Sequence, residues 1–137
     1  MSTLRKTVLI IEDNLDVRDA LAVALTVEGY DAICAESRDE ALQALEASRP
    51  ALILMDHQMP GLGADEFIKQ VRARYERIPV VLMTAGHSAP SKAMQLGLKH
   101  ALQKPFDYRT LLRTVNQLTR RATQIIRSQS QRELAVN

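Results

Sequence analysis

Short, continuous apolar runs alternate with amphipathic segments along this chain, and that alternation constrains its fold more than any other feature. The run at residues 8–11 is directly followed by Glu12 and Asp13, and the run at residues 51–55 by Asp56. Runs of this kind are typical of strands that are buried on both faces of a sheet. We predict five strands, at residues 8–11, 32–35, 51–55, 79–83 and 101–102.

The segments between these runs carry the apolar spacing and the end signals of helices. Ser37 to Glu40 form a capping-box pattern at the start of the second helix. A third helix is predicted at residues 65–75, a short fourth helix at 91–96, and a long final helix that begins at Asp107. Strands that alternate with helices imply an α/β fold, here a (βα)₅ doubly wound parallel sheet of five strands with right-handed crossovers.

The composition is that of one domain and argues against several classes of protein. With 137 residues, 46% of them hydrophobic, the chain can form one core without disulfides or a structural metal. The single cysteine, Cys34, lies in an apolar run, so we expect a buried, unreactive thiol in a reducing cytoplasm. No stretch approaches the ~20 apolar residues of a membrane span, and we expect a soluble protein without membrane contact.

The net charge of +2 arises at the C-terminal end, where residues 107–137 carry six Lys and Arg against two Asp and Glu. A basic segment can contact nucleic acid or an acidic partner. In this segment, however, the arginines are not interleaved with aromatic residues and are spaced as on a solvated helix face. We therefore expect no direct binding of nucleic acid.

Polar residues follow the apolar runs at the points where the predicted strands end. Glu12 and Asp13 follow the first run, Asp56 the third and Thr84 the fourth, and Lys104 lies just beyond the fifth. Doubly wound sheets bind ligands beyond the carboxyl ends of their strands, where the strand order reverses. We therefore expect these five side chains to form one pocket.

Three carboxylates in one pocket require a compensating cation. Two like charges ~4 Å apart repel by about 1 kcal/mol in water and about 4 kcal/mol at the effective dielectric of a protein surface. Because the ligands are oxygen atoms, with no His or Cys among them, Mg²⁺ fits best and Mn²⁺ is an alternative. We predict Asp13 and Asp56 as direct ligands and Glu12 as a direct or water-mediated ligand.

A carboxylate can also act as a nucleophile toward phosphorus, and Asp56 is the candidate for that role. Lys104 would supply a second positive charge, and the Thr84 hydroxyl a hydrogen bond to a phosphoryl oxygen. Taken singly, Asp13 is explained as a helix-terminal acid, Thr84 as a strand former and Lys104 as a surface charge. Such independent preferences do not explain why the set occurs at successive strand ends.

Four short stretches, in register with the predicted strands, resemble the receiver domain of two-component response regulators. They are residues 10–14 (IIEDN), 54–61 (LMDHQMPG), 82–85 (LMTA) and 104–106 (KPF). The resemblance covers residues 6 to about 120. It implies a CheY-like, flavodoxin-like fold with strand order 2-1-3-4-5, phosphorylation of Asp56, and Mg²⁺ that is also held by the backbone carbonyl of Gln58.

The same resemblance implies the partners and the domain limits. The phosphodonor would be a sensor histidine kinase or a phosphotransfer protein, and the signal would pass to a downstream protein target or to an output domain. We predict a receiver domain over residues 1–120 and a helical extension or linker tail over residues 121–137; homodimerisation is compatible with this family. The domain would be a cytoplasmic switch that catalyses only its own phosphorylation and dephosphorylation, and not a turnover enzyme.

Two features depart from the family pattern. Ala101 stands where these domains usually carry an aromatic residue whose rotamer follows the position of the threonine. The segment from Thr84 to Gly97 is about two residues shorter than usual. We therefore expect a short or displaced fourth helix and an atypical signalling surface.

Two alternative functions stay open at this point. One is a phosphorylation-independent pseudo-receiver that serves as an interaction module, which Ala101 and the shortened segment favour. The other is a phosphohydrolase of the haloacid-dehalogenase type, which also uses an aspartate nucleophile. Those enzymes carry an acid two residues after the nucleophile, where this chain has Gln58.

Overall fold

The computed structural model describes residues 6–75 and 77–120, and within them five strands form one parallel sheet. The strands are β1 (Thr7–Ile11), β2 (Asp31–Ala35), β3 (Leu52–Asp56), β4 (Val80–Ala85) and β5 (His100–Lys104). They lie in the order β2-β1-β3-β4-β5, and each neighbouring pair is parallel. The predicted (βα)₅ doubly wound fold with flavodoxin-like strand order is confirmed.

A helix follows each strand, and two of the predicted helix caps are present. The helices are α1 (Leu15–Val27), α2 (Arg38–Ser48), α3 (Ala64–Arg74), α4 (Ala89–Gln95) and α5, of which residues 108–120 are described. Ser37 accepts a hydrogen bond from the Glu40 amide at 3.1 Å, and Asp107 accepts one from the Thr110 amide at 2.7 Å. The Glu40 carboxylate accepts from the Glu36 amide at 3.4 Å, one residue before the donor that a capping box uses.

Helix α4 is short, as expected, but it begins at Ala89 rather than at residue 91. Pro90 lies in its first turn, where the missing amide donor costs little because the first amides of a helix have no intrahelical partner. The predicted tail at residues 121–137, including a continuation of α5 through Ile125 and Ile126, lies outside the described residues.

The sheet is buried on both faces because successive side chains of a strand point to opposite sides. Val8 and Ile10 of β1 pack with residues of α1 and α5, whereas Leu9 and Ile11 pack with residues of α2, α3 and α4. Residues 52–55 of β3 are divided between the two faces in the same way. Two-sided burial explains the uninterrupted apolar runs, and it fixes the position of the residues at the strand ends.

Cys34 was expected to be buried, and the structure shows it partly rather than fully buried. It packs beside α1 and α5. Burial raises the pKa of its thiol, which favours the unreactive protonated form. In the part of the chain that the structure describes, no helix has both the length and the apolar character needed to cross a bilayer.

Candidate functional site

The carboxyl ends of β1, β3, β4 and β5 lie along one edge of the sheet, and the predicted site residues lie at this edge. Asp56 pairs in register with Met83, one residue before Thr84. Carboxylate oxygens of Glu12, Asp13 and Asp56 lie within 4.8 Å of one another. Glu12 and Asp56 are buried, whereas Asp13 is exposed to solvent. The structure thus brings together the three acids that the sequence suggested.

Lys104, the last residue of β5, reaches into this group of acids. Its Nζ lies 3.3 Å from Glu12 Oε2 and 3.2 Å from Asp56 Oδ1. The lysine side chain is 25% exposed, but those of Glu12 and Asp56 are only 3% and 11% exposed, so water screens both ion pairs weakly. The ammonium group is therefore shared by two buried carboxylates, and negative charge is in excess around it.

Burial and a neighbouring carboxylate both affect the ionisation of Glu12. Its pKa is raised to about 7, first because burial disfavours the charged carboxylate and second because the Asp56 carboxylate repels it. Lys104 acts in the opposite direction and does not cancel these two effects. A cation bound beside Glu12 would favour its charged form and would therefore lower this pKa.

Thr84 is almost fully buried, and its hydroxyl has contacts on the side of α4. Thr84 Oγ1 lies 3.4 Å from the Ala85 carbonyl oxygen and accepts a hydrogen bond from Lys92 Nζ, also at 3.4 Å. Lys92 belongs to α4 and was not predicted as part of the pocket. Its position in sequence, eight residues after Thr84 on a short helix, gives no signal of this contact.

Arg38, the first residue of α2, is a second residue that the sequence analysis missed. Its buried guanidinium donates hydrogen bonds to the backbone carbonyls of Asp56 at 3.1 Å, His57 at 2.7 Å and Leu62 at 2.8 Å. These carbonyls belong to the end of β3 and to the loop that follows it. Arg38 therefore holds the loop that contains Gln58, whose backbone carbonyl stays a predicted metal ligand.

The only sequence signal for Arg38 is its place directly after the capping residue Ser37. An arginine in the first turn of a helix is usually solvated, so this signal does not indicate burial.

The raised pKa of Glu12 predicts a pH-dependent stability of the metal-free protein. The folded state binds the Glu12 proton more tightly than the unfolded state, whose carboxyl titrates near 4.5. This group therefore destabilises the fold increasingly as the pH rises from about 4.5 to about 7. Between pH 5 and pH 8 its contribution should lower the free energy of unfolding by up to about 3 kcal/mol, as measured by urea unfolding in EDTA.

The control for this prediction is Glu12→Gln, which is neutral at every pH and should lack that part of the slope. The comparison separates Glu12 from the histidines, and both proteins keep the charged groups that lie next to it, Asp13, Asp56 and Lys104. Equal slopes in the two proteins would contradict the prediction.

Replacement of Arg38 by methionine should destabilise the protein strongly, because three backbone carbonyls lose a charged donor. Hydrogen bonds to charged groups contribute about 1.5–3 kcal/mol each, and methionine packing offsets part of the loss, so we expect a net cost of about 3 kcal/mol. Arg74, which pairs with Glu46 at the surface, is the matched control, and Arg74→Met should cost less than about 1 kcal/mol. Urea unfolding measures both; equal costs would rule out this role of Arg38.

Comparison with known proteins identifies response regulators as relatives of this chain. The response regulator protein FleR of Pseudomonas aeruginosa is 35% identical over 107 residues, which cover 77% of this chain and 23% of FleR. The chain thus spans about a quarter of the length of that relative.

Solved structures are similar over most of the chain. A response regulator receiver protein from Pseudomonas putida superposes with a TM-score of 0.75 at 28% identity, covering 85% of this chain and 99% of that one. The chemotaxis protein CheY4 of Vibrio cholerae gives a TM-score of 0.76 at 28% identity, covering 84% of this chain and 99% of that one.

The family model of the response regulator receiver domain matches residues 8–116, a range that includes all four strand ends of the acidic pocket. Together with the strand order and the similar structures, this match shows that the chain belongs to the response regulator receiver domain family.

Proposed function

We propose that this receiver domain accepts a phosphoryl group on Asp56 in a Mg²⁺-dependent reaction and signals through the conformational change that follows. The position of the Asp56 carboxylate supports this most directly. It is buried, it lies 3.2 Å from Lys104 Nζ, and its oxygens are near those of Glu12 and Asp13. The proposed acceptor carboxylate thus lies beside one cation, Lys104, and beside carboxylate oxygens that would bind a second cation.

The residues in the pocket fit a magnesium ion. Asp13 and Asp56 would bind it directly, Glu12 directly or through water, and Gln58 through its backbone carbonyl; Mn²⁺ would accept the same hard oxygen donors. The pKa of Glu12 is raised first by burial and then by repulsion from Asp56, and a cation bound beside the carboxylate would offset both effects. When bound, the ion would neutralise charge on the transferred phosphoryl group.

The transfer itself uses Asp56 as a nucleophile. A carboxylate oxygen attacks the phosphorus of a phosphohistidine; the O–P bond forms, the P–N bond breaks, and the electron pair of that bond returns to the imidazole of the donor. Lys104 already contacts the carboxylate and would follow the charge onto the phosphoryl oxygens. The Thr84 hydroxyl would donate a hydrogen bond to another phosphoryl oxygen.

The same pocket favours a switch over a turnover enzyme. Gln58 occupies the position in which phosphohydrolases of the haloacid-dehalogenase type carry an acid, and an amide cannot act as a general base toward water. The burial of Asp56 restricts the approach of water further. Both features support a phosphoryl group that persists long enough to act as a signal.

The proposal extends to the partners and the setting of the domain. The phosphodonor is a sensor histidine kinase or a phosphotransfer protein in the cytoplasm, and the recipient of the signal is a downstream protein or an output domain. Residues 1–120 would form the receiver and residues 121–137 a helical extension or linker tail. A second copy of the chain is a further candidate partner; nucleic acid and membrane are not.

Treatment of the purified chain with acetyl phosphate and Mg²⁺ should add the mass of one phosphoryl group, as measured by intact-protein mass spectrometry. Asp56→Asn should show no gain, because its amide is not a nucleophile toward phosphorus. Asp19→Asn, which changes an exposed acid of α1, is the matched control and should be modified like the wild type. EDTA should abolish the gain in the wild type and in Asp19→Asn.

Two results would contradict the proposal. No mass gain in the wild type would favour the pseudo-receiver, a function that Ala101 makes reasonable. Steady release of phosphate over many turnovers from a phosphate ester would favour a phosphohydrolase instead.

A further inference from the structure

The side chain of Lys92 brings a positive charge next to the buried hydroxyl of Thr84. Its Nζ is 3.4 Å from Thr84 Oγ1, and the side chain is only partly exposed. None of the ion pairs found among the described residues includes Lys92. The ammonium group is therefore directed toward a neutral hydroxyl at the edge of a strongly acidic pocket.

The chemistry of a hydroxyl makes this contact directional. Threonine offers one donor and two acceptor lone pairs, whereas a lysine ammonium group can only donate. Lys92 therefore donates a hydrogen bond to a lone pair of the Thr84 oxygen, and the O–H of Thr84 can still donate to another acceptor. In the resting structure that proton faces the Ala85 carbonyl, also at 3.4 Å. Both contacts of the hydroxyl are long, and the one to Ala85 is the more easily exchanged because neither of its partners is charged.

A phosphoryl oxygen on Asp56 would be a stronger acceptor for the same proton. The hydroxyl could then donate to the phosphoryl group while it still accepts from Lys92. A charged donor on one side strengthens the hydroxyl as a donor on the other, because hydrogen bonds in a chain polarise one another.

Small side chains allow α4 to lie close to the sheet at this point. Ala89 and Ala93 of α4 are buried, and Ala101 of β5 is in the same apolar cluster as Ala93. An aromatic side chain at position 101 would have to occupy space in that cluster, and a close-packed interior offers little empty space for it. The small residue at position 101 is thus compatible with a fourth helix that contacts Thr84 through Lys92.

We propose that Lys92 is a positioning residue for Thr84, and that the contact between them couples phosphorylation of Asp56 to α4. This inference rests on the proposed function of Asp56. In this chain, a charged hydrogen bond takes the place of a moving aromatic side chain in connecting the pocket to the fourth helix.

The test compares Lys92→Met, which keeps the length of the side chain and removes its charge, with Lys99→Met, which removes an exposed lysine beyond α4. Phosphorylation by acetyl phosphate with Mg²⁺ should be roughly fivefold slower in Lys92→Met and unchanged in Lys99→Met. Amide chemical shifts of Ala89 and Ala93 should respond to beryllofluoride in the wild type and much less in Lys92→Met. Lys92→Arg should recover most of the rate and the shift response.

A Thr84→Val background separates positioning from a general effect on stability. Without the hydroxyl, Lys92→Met should cause no further slowing, because the two residues act through one contact. Equal further slowing in that background, or a Lys92→Met protein that behaves like Lys99→Met, would overturn the role of Lys92 while leaving the proposed function intact. Absence of phosphorylation in the wild type would overturn the proposed function, and this inference with it.

Discussion

The close approach of two buried carboxylates at the carboxyl edge of the sheet is the constraint on which the proposed function of this molecule depends. Glu12 and Asp56 cannot move apart, because β1 and β3 are packed on both faces and paired with each other. Lys104 lies between them at hydrogen-bonding distance, yet the pKa of Glu12 is still raised to about 7. Burial and repulsion thus both disfavour the charged form of Glu12, and the divalent cation of the proposed function would offset both effects.

Arg38 supports the same site from the backbone side. Its guanidinium donates hydrogen bonds to the backbone carbonyls of Asp56, His57 and Leu62. Asp56 is therefore held through its main chain as well as through the contact of its side chain with Lys104. The positive charge also lies near the Asp56 carboxylate, and the attraction between them opposes the lowering of the arginine pKa by burial. In the proposed function this loop presents the backbone carbonyl of Gln58 to a metal ion. Support from Arg38 would matter there, because Gly61 and Gly63 give the loop conformational freedom.

The fold and the acidic pocket were predictable because they follow from patterns that act along the whole chain. Two-sided burial produces continuous apolar runs, and parallel topology then brings Glu12, Asp56 and Thr84 to one edge whatever their separation in sequence. The contacts of Arg38 and Lys92 were not predictable in this way. A long cationic side chain can extend into solvent or fold back onto a carbonyl or a hydroxyl, and periodicity does not distinguish these conformations. The start of α4 was missed for a related reason: a proline is as compatible with the first turn of a helix as with the loop before it.

The replacement of an aromatic residue by Ala101 alters how a signal can leave the pocket. An aromatic switch is steric, because a large ring either fills or vacates a space and the surface changes shape accordingly. A contact between Lys92 and Thr84 is electrostatic, and in the proposed mechanism it would respond to the charge of about −1.5 to −2 that a phosphoryl group adds. Electrostatic coupling of this kind needs no cavity in the cluster that contains Ala93 and Ala101, so the domain can keep a close-packed fourth helix. A short α4 is therefore compatible with a working switch of this proposed kind.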